Sequence, residues 1–187
     1  MIEVEVKLPI YRRSTTEKAL REMGFSPLDL IRESDIYFTS DFHDFMVRDE
    51  ALRIRSSENL TRGTCSYAIT YKGPKIDSVS MTRKELETGI EDPDIGRNIF
   101  IALGYRELTP VNKLRQYYQF KDVHACVDQV EKLGSFLELE ILAENEDSRP
   151  AALKKFETIL DGLGYSLSET TRYSYLYMLQ RKNGWMG

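Results

Sequence analysis

The first seven residues place a charged side chain at every second position. Glu3, Glu5 and Lys7 alternate with apolar residues, so an extended strand carries the two carboxylates and the ammonium on one face. Same-face neighbours along a strand lie roughly 6.5 Å apart. Two flexible glutamates at that spacing can converge on one divalent cation, and Lys7 can meet an anionic group beside them. An ordinary amphipathic strand with a solvated face has the same pattern, so this strand alone does not distinguish a metal site from a solvated surface.

The same alternation recurs on other predicted strands and mixes acids with bases. The sets are Arg53 and Arg55; Arg83, Glu85 and Glu87; Lys113 and Arg115; and Glu138 and Glu140. On an open sheet, all of these side chains could form outer surface. In a closed sheet every other residue points inward, and a lumen lined with charges cannot stay dry because buried charges need partners.

A wet, charged lumen suits a polyanion and its metal ions. Guanidinium and ammonium groups bind phosphate oxygens, and glutamates hold Mg²⁺ or Mn²⁺. The charge pattern therefore leaves two hypotheses, a solvated outer face and a cavity for a metal-bound polyanion.

Three helices are expected to flank the strands. They are predicted at 14–23, where Ser14 and Glu17 have capping-box spacing, at 93–103 and at 148–163. Each ends at a glycine followed by an aromatic residue, which is typical of a left-handed helix stop. These helix ends are Gly24-Phe25, Gly104-Tyr105 and Gly164-Tyr165. A weak internal repeat of helix followed by strand is one interpretation, and chance is the other.

Strands are predicted where β-branched and aromatic residues dominate. The segments are 2–8, 28–38, 51–57, 65–73, 80–88, 107–120, 122–130, 135–143 and 166–172. Lys121-Asp122 fits a tight hairpin turn. Because strands come in runs and helices stand apart, we expect an α+β fold with a largely antiparallel sheet, in a single domain over residues 1–187.

Composition argues against several function classes. The chain has 30 acidic and 26 basic residues, for a net charge of −4, so we expect no general attraction to nucleic acid or to an anionic membrane. Its two histidines lie near no convincing nucleophile, which disfavours a zinc site or a serine–histidine triad. Cys65 and Cys126 lack metal-ligand spacing and are predicted to be buried free thiols in a reducing compartment. Without an apolar signal region or a long apolar run, we expect a cytoplasmic protein.

The chain resembles the CYTH family, the triphosphate tunnel proteins that include class IV adenylate cyclases and thiamine triphosphatases. Glu3-Val-Glu-Val-Lys7 matches the amino-terminal ExExK of that family, and further matches follow in family order along nearly the whole chain. They are Asp35-Ile-Tyr37, Leu52-Arg-Ile-Arg55, Thr70-Tyr-Lys-Gly-Pro74, Arg83-Lys-Glu-Leu-Glu87, Lys113-Leu-Arg115, Val127-Asp128, Phe136-Leu-Glu-Leu-Glu140 and Arg172-Tyr-Ser-Tyr175.

The resemblance implies an eight-stranded antiparallel closed β-barrel, open as a tunnel and flanked by helices. It implies Mg²⁺ or Mn²⁺ bound by Glu3, Glu5, Glu138 and Glu140, with Asp128 as a supporting carboxylate near the metal or a basic ligand. Glu3, Glu5 and Lys7 are the implied catalytic residues. The implied contacts to a triphosphate are Lys7, Arg53, Arg55, Lys72, Lys113, Arg115 and Arg172, with Arg83 and Glu85 also lining the tunnel.

The nearest subgroup by resemblance is the class IV adenylate cyclases, which form cyclic AMP and pyrophosphate from ATP, because Lys72-Gly73-Pro74 looks like their corresponding motif. Bacterial cyclases of this type carry a His-Phe pair a few residues before ExExK, whereas this chain begins two residues before Glu3. Hydrolysis of tripolyphosphate, thiamine triphosphate or a nucleoside triphosphate is therefore a close alternative, and a non-catalytic polyphosphate- or nucleotide-binding module is a third.

The expected partner is a nucleotide or an inorganic triphosphate. A homodimer is one possibility, because the aromatic segment Tyr173–Tyr177 could support a dimer contact. The same segment could instead cover a tunnel mouth or pack as a carboxy-terminal helix. No role is assigned to that segment from sequence.

Overall fold

The computed structural model describes residues 2–76 and 80–184. Its strands, in chain order, are β1 (Ile2–Ile10), β2 (Ser26–Thr39), β3 (Ala51–Asn59), β4 (Thr64–Lys75), β5 (Arg83–Ile90), β6 (Arg106–Glu107), β7 (Val111–Phe120), β8 (Val123–Val130) and β9 (Gly134–Ala143). Its helices are α1 (Arg13–Glu22), α2 (Pro93–Ala102), α3 (Arg149–Gly162) and α4 (Tyr175–Lys182).

Eight strands form a closed antiparallel barrel. Their order is β3-β4-β5-β1-β9-β8-β7-β2, and β2 pairs with β3 to close the ring. The short β6 pairs with the end of β2 outside the barrel. The predicted α+β fold and closed eight-stranded barrel are confirmed.

The apolar face of the amino-terminal strand points outward, away from the tunnel. Val4, Val6 and Leu8 of β1 pack in one cluster with Phe156 and Leu160 of α3. Outward residues of β8 and β9 and Leu20 of α1 belong to the same cluster. Since side chains alternate across a strand, the charged residues between them face the barrel interior.

A second apolar cluster closes one end of the barrel. Tyr175, Leu176 and Leu179 of α4 pack there with residues from strand ends, including Phe136 at the start of β9 and Val130 at the end of β8. The helix α4 therefore covers the end of the barrel at which β2 and β8 finish and β7 and β9 begin.

Most predicted elements are present, and the differences have local causes. The capping box at Ser14 is wrong: α1 begins at Arg13, with Arg12 at the N-cap, and the Arg13 guanidinium donates to Glu17 at 2.7 Å. The predicted strand 107–120 is divided after β6, because Pro110 has no N–H to donate to a sheet.

The predicted glycine stops are confirmed, since Gly24, Gly104 and Gly164 have φ of +94°, +89° and +78°. The strand predicted at 166–172 is wrong. Ser166 and Glu169 form a capping box there, and Leu167–Glu169 is a short 3₁₀ helix. The helix–strand repeat therefore does not extend to the third helix.

The two cysteines lie in different environments. Both are free, with Cys126 buried and Cys65 exposed, so the predicted burial is wrong for Cys65. That residue lies near the β3–β4 hairpin, opposite Glu58, where the strands have no covering layer of side chains around residues 64–66. Within the described ranges, no helix is both long and apolar enough to cross a membrane.

We expect the outer core to dominate stability, and Phe156 tests this because its side chain is fully buried under α3. Phe156→Ala should lower the free energy of unfolding by about 3–5 kcal/mol through lost burial and a cavity. The matched Phe42→Ala, at a 66% exposed ring, should cost less than about 1 kcal/mol. Chemical denaturation measures both, and equal losses would contradict the assignment of the core.

Candidate active site

The barrel encloses a cavity of about 870 Å³ that contains almost every predicted site residue. Its lining includes Glu3, Glu5, Lys7, Arg53, Arg55, Lys72, Arg83, Glu85, Lys113, Arg115, Glu138, Glu140 and Arg172. Asp128 is fully buried behind this lining. The alternation of charge that the sequence shows on separate strands thus converges on one space.

Sheet register places most cations directly opposite a carboxylate of the neighbouring strand. These cross-strand pairs are Lys7–Glu138, Arg55–Asp35, Lys72–Glu85, Lys113–Glu33 and Arg115–Asp128. Four of them form ion pairs at 2.6–3.1 Å, and Lys72 and Glu85 form a very short one. The cations are therefore held in position before any ligand arrives.

Glu5 and Glu140 break this rule, because they are like charges directly opposite each other on β1 and β9. Glu3 lies two residues before Glu5 on the same face. Each of the three glutamates offers an oxygen within 4.8 Å of the others. Like charges in register are destabilising, so this cluster calls for a cation or for protons.

The pKa values of Glu3 and Glu140 are raised, mainly by burial and further by neighbouring carboxylates. Burial raises the pKa of Glu3 to about 7, and the charge of Glu85 adds to the shift. Burial also raises the pKa of Glu140 to about 8; Arg115 opposes that shift, while Glu3 and Glu5 add to it. An all-carboxylate donor set of this kind fits Mg²⁺ or Mn²⁺.

Glu138 differs from the three clustered glutamates, although it was predicted with them. It accepts from Lys7 at 3.1 Å and makes a very short contact with Arg115. Burial alone would raise its pKa, but Arg115 and Lys7 outweigh burial and hold the pKa well below its ordinary value. Its charge is already compensated by two cations, so its role as a metal ligand stays a prediction.

Asp128 holds a basic residue. It accepts two hydrogen bonds from Arg115, both at 2.7 Å, and one from the Tyr175 hydroxyl at 2.8 Å. Lys113 lies 3.8 Å away. Of the two roles that the sequence suggested, this geometry matches support of a basic ligand.

Two carboxylates of β2 hold further cations and were not predicted as site residues. Asp35 accepts from Arg55 at 2.6 and 2.8 Å and from Arg53 at 3.2 Å. Glu33 lies 3.1 Å from both Arg55 and Lys113. Burial alone would raise the pKa of Glu33, but Lys113 and Arg55 lower it to about 2. The missed signal was the shared parity of Glu33, Asp35 and Tyr37.

Lys75 was also not predicted as a site residue, because the predicted strand ended at residue 73. It ends β4 and lines the cavity together with Lys72. Residues three apart in a regular strand face opposite sides, but the β4–β5 register shifts between Lys72 and Lys75, so both reach the tunnel. The Gly73-Pro74 dipeptide at this irregularity was the available signal.

The carboxy-terminal segment contributes an aromatic wall. The Lys7 ammonium lies 4.3 Å from the centre of the Tyr175 ring, and Lys113 lies 5.4 Å from it. The Thr171 backbone N–H donates to the Lys7 carbonyl at 2.7 Å, and Arg172 donates to the Ser80 carbonyl at 3.3 Å. The segment before α4 is thereby fastened to β1 beside the tunnel.

Comparison with known proteins agrees with this geometry. A protein of Methanocaldococcus jannaschii, provisionally named an adenylate cyclase, is 40% identical over 176 residues, which are 94% of this chain and 97% of the relative. The adenylate cyclase CyaB of Aeromonas hydrophila is 26% identical over 144 residues, covering 77% of this chain and 70% of that protein.

Two solved structures share the fold. A protein from Pyrococcus horikoshii OT3 superposes with a TM-score of 0.88 and 38% identity, covering 96% of this chain and 99% of its own. A protein from Hippeastrum, whose structure is reported with a dominant triphosphatase activity, superposes with a TM-score of 0.66 at 18% identity, covering 98% of this chain and 95% of its own.

The model of the CYTH domain family matches residues 1–175. With that match, the closed charged tunnel and the 40% identical relative, the chain belongs to the CYTH domain family.

Proposed function

We propose that the protein is a divalent-metal-dependent enzyme that converts ATP to cyclic AMP and pyrophosphate. The observation that carries the proposal is the carboxylate cluster of Glu3, Glu5 and Glu140 inside a tunnel lined with cations. Three carboxylates repel a polyanion unless a metal ion is present, so a site built only to bind anions has no use for them.

The chemistry follows from positioning and charge. Glu3, Glu5 and Glu140 would hold Mg²⁺ or Mn²⁺, and the ion when bound would neutralise charge on phosphate oxygens. The guanidinium groups and ammonium groups of the tunnel would hold the triphosphate in one orientation. In cyclisation the ribose 3′-oxygen bonds to the α-phosphorus, the bond to the bridging oxygen breaks, pyrophosphate leaves, and the hydroxyl proton passes to solvent.

Two findings favour cyclisation. The Methanocaldococcus jannaschii relative, at 40% identity over nearly the whole chain, carries the adenylate cyclase name. The second is the resemblance of Lys72-Gly73-Pro74 to the corresponding motif of class IV cyclases.

Hydrolysis of a triphosphate by in-line attack of water is the second candidate, since the same cationic and carboxylate side chains would bind and position its substrate. The charges of the tunnel lining are compatible with it, because they would hold a triphosphate whether or not a nucleoside is attached. The Hippeastrum protein combines an adenylyl cyclase name with a dominant triphosphatase activity. That protein shares only the fold with this chain, but it shows that a cyclase name does not decide the product.

Product analysis distinguishes these reactions. We expect purified protein with Mg²⁺ or Mn²⁺ to form cyclic AMP and pyrophosphate from ATP, resolved by chromatography. Orthophosphate from ATP, tripolyphosphate or thiamine triphosphate would select the hydrolase instead. Binding without any product would support the third candidate, a binding module.

Substitutions should separate the metal-holding from the phosphate-holding residues. Glu3→Ala and Glu140→Gln should each lower kcat by at least about 100-fold, because the charge that recruits the metal is lost. Lys113→Ala should mainly raise KM, by about tenfold. Glu157→Gln, at an exposed position of α3, is the matched control and should behave as wild type. Wild-type turnover in both glutamate variants would overturn the metal assignment.

Metal affinity should depend steeply on pH. The pKa of Glu3 is raised to about 7 and that of Glu140 to about 8, so below these values protons compete with the metal. Apparent Mn²⁺ affinity should therefore fall by about 100-fold or more between pH 8 and pH 6. In Glu140→Gln one of the two protons is removed, and the fall should shrink to about tenfold. Titration calorimetry measures both, and a pH-independent affinity would contradict the cluster as the metal site.

A further inference from the structure

Two tyrosines beside the start of α4 have no evident role in binding phosphate. The rings of Tyr173 and Tyr177 are stacked nearly parallel, 7° apart in plane, with their centres 4.5 Å apart. Tyr173 is 49% exposed. Both residues line the tunnel, and both also line a second cavity of about 380 Å³ bounded by Leu133, Met178 and Arg181. The stacked pair is thus a wall that the two cavities share.

Packing of the helix does not account for this pair. Tyr175, which lies between the two in sequence, is the residue that is buried against Phe136, with ring centres 5.0 Å apart, and that bonds to Asp128. Tyr173 precedes the N-cap residue Ser174 and leaves half of its surface to solvent. The flat, partly exposed faces of these rings carry no positive charge with which to hold an inorganic phosphate chain.

Such a surface is well suited to a heteroaromatic ring. Rings stack on tyrosine faces with little dependence on their exact identity, and each stack contributes substantially to binding. The adjoining cavity of about 380 Å³ has room for such a ring. The pair also lines the cavity that contains Arg172 and the other tunnel cations, so a ring bound against it lies beside the cationic lining.

We propose that the Tyr173–Tyr177 pair stacks against the heteroaromatic ring of an organic triphosphate, such as a nucleobase, while the triphosphate lies in the tunnel. This inference rests on the proposed function, since it requires a triphosphate in the tunnel. It adds where the ring of that substrate would be held, at the Tyr173–Tyr177 pair beside the start of α4.

The test compares a ligand with a ring to one without it. Dissociation constants for ATP and for tripolyphosphate are measured by titration calorimetry, with Ca²⁺ as the supporting cation. In Tyr173→Ala, affinity for ATP should fall by about tenfold or more, whereas affinity for tripolyphosphate should change less than about twofold. Tyr173→Phe keeps the ring and should retain ATP affinity. Tyr11→Ala, at a 93% exposed tyrosine between β1 and α1, is the matched control and should affect neither ligand.

The outcomes separate this inference from the proposed function. If wild type binds both ligands and Tyr173→Ala weakens both equally or neither, the stacking role is overturned and the triphosphate site stands. Binding of tripolyphosphate without ATP by wild type overturns both the stacking role and the conversion of ATP, and it selects hydrolysis or binding of an inorganic substrate. If wild type binds neither ligand, the proposed function fails and this inference fails with it. Because Tyr177 is less exposed, Tyr177→Ala is accompanied by a melting curve, and an ATP-specific loss at an unchanged melting temperature supports the proposal.

Discussion

Compensation of buried charge is the constraint on which this structure depends. Closing the β2–β3 seam turns one face of every strand inward, and an unpaired charge in that confined space is costly. The register of neighbouring strands reduces this cost by placing opposite charges side by side, with Arg115 across from Asp128 and Lys113 across from Glu33. Glu5 and Glu140 are the exception, because the register sets two like charges across from each other. Lys7 lies 3.5 Å from Glu5 and Arg115 lies 3.8 Å from Glu140, so neighbouring cations offset part of this negative charge, and the exception locates the candidate metal site.

The same constraint explains why several carboxylates are already paired with cations of the protein. Asp35, Asp128 and Glu138 each hold one or more cations in place. A cation that is oriented beforehand loses less entropy when it binds phosphate, which is the physical advantage of preorganisation. The carboxylates that position neighbouring cations are thus distinct from Glu3, Glu5 and Glu140, which form the candidate metal site.

A lumen full of charge cannot supply the hydrophobic stabilisation that a core normally gives. The barrel compensates by placing its apolar residues on the outside, where β1, β8 and β9 are covered by α1 and α3. At one end, α4 adds a second cluster that includes Tyr37 and Val111. The helices are therefore part of the stabilising core, and α4 additionally borders the tunnel through Tyr175.

The local sequence pattern determined which face of each strand is charged and where the first three helices end. Period-two alternation in β1 and β9 predicted which side of each strand carries Glu3, Glu5, Glu138 and Glu140, because strand geometry assigns faces without reference to the rest of the fold. The glycines that end α1, α2 and α3 could also be predicted, because a positive φ at a helix end depends only on the adjacent residues. What alternation could not show was whether a charged face points to solvent or to a lumen, since both satisfy the same pattern.

Only the tertiary structure decided how the charges are paired. Register across neighbouring strands separates Glu140, which faces Glu5, from Glu138, which faces Lys7, although the two glutamates are two residues apart on one strand. It likewise makes Asp128 the partner of Arg115 and brings Lys75 to the tunnel through an irregularity in β4. Sequence determined the chemical groups and the face that each occupies, whereas the closed sheet determined which charges neutralise one another and which three carboxylates gather as the candidate metal site.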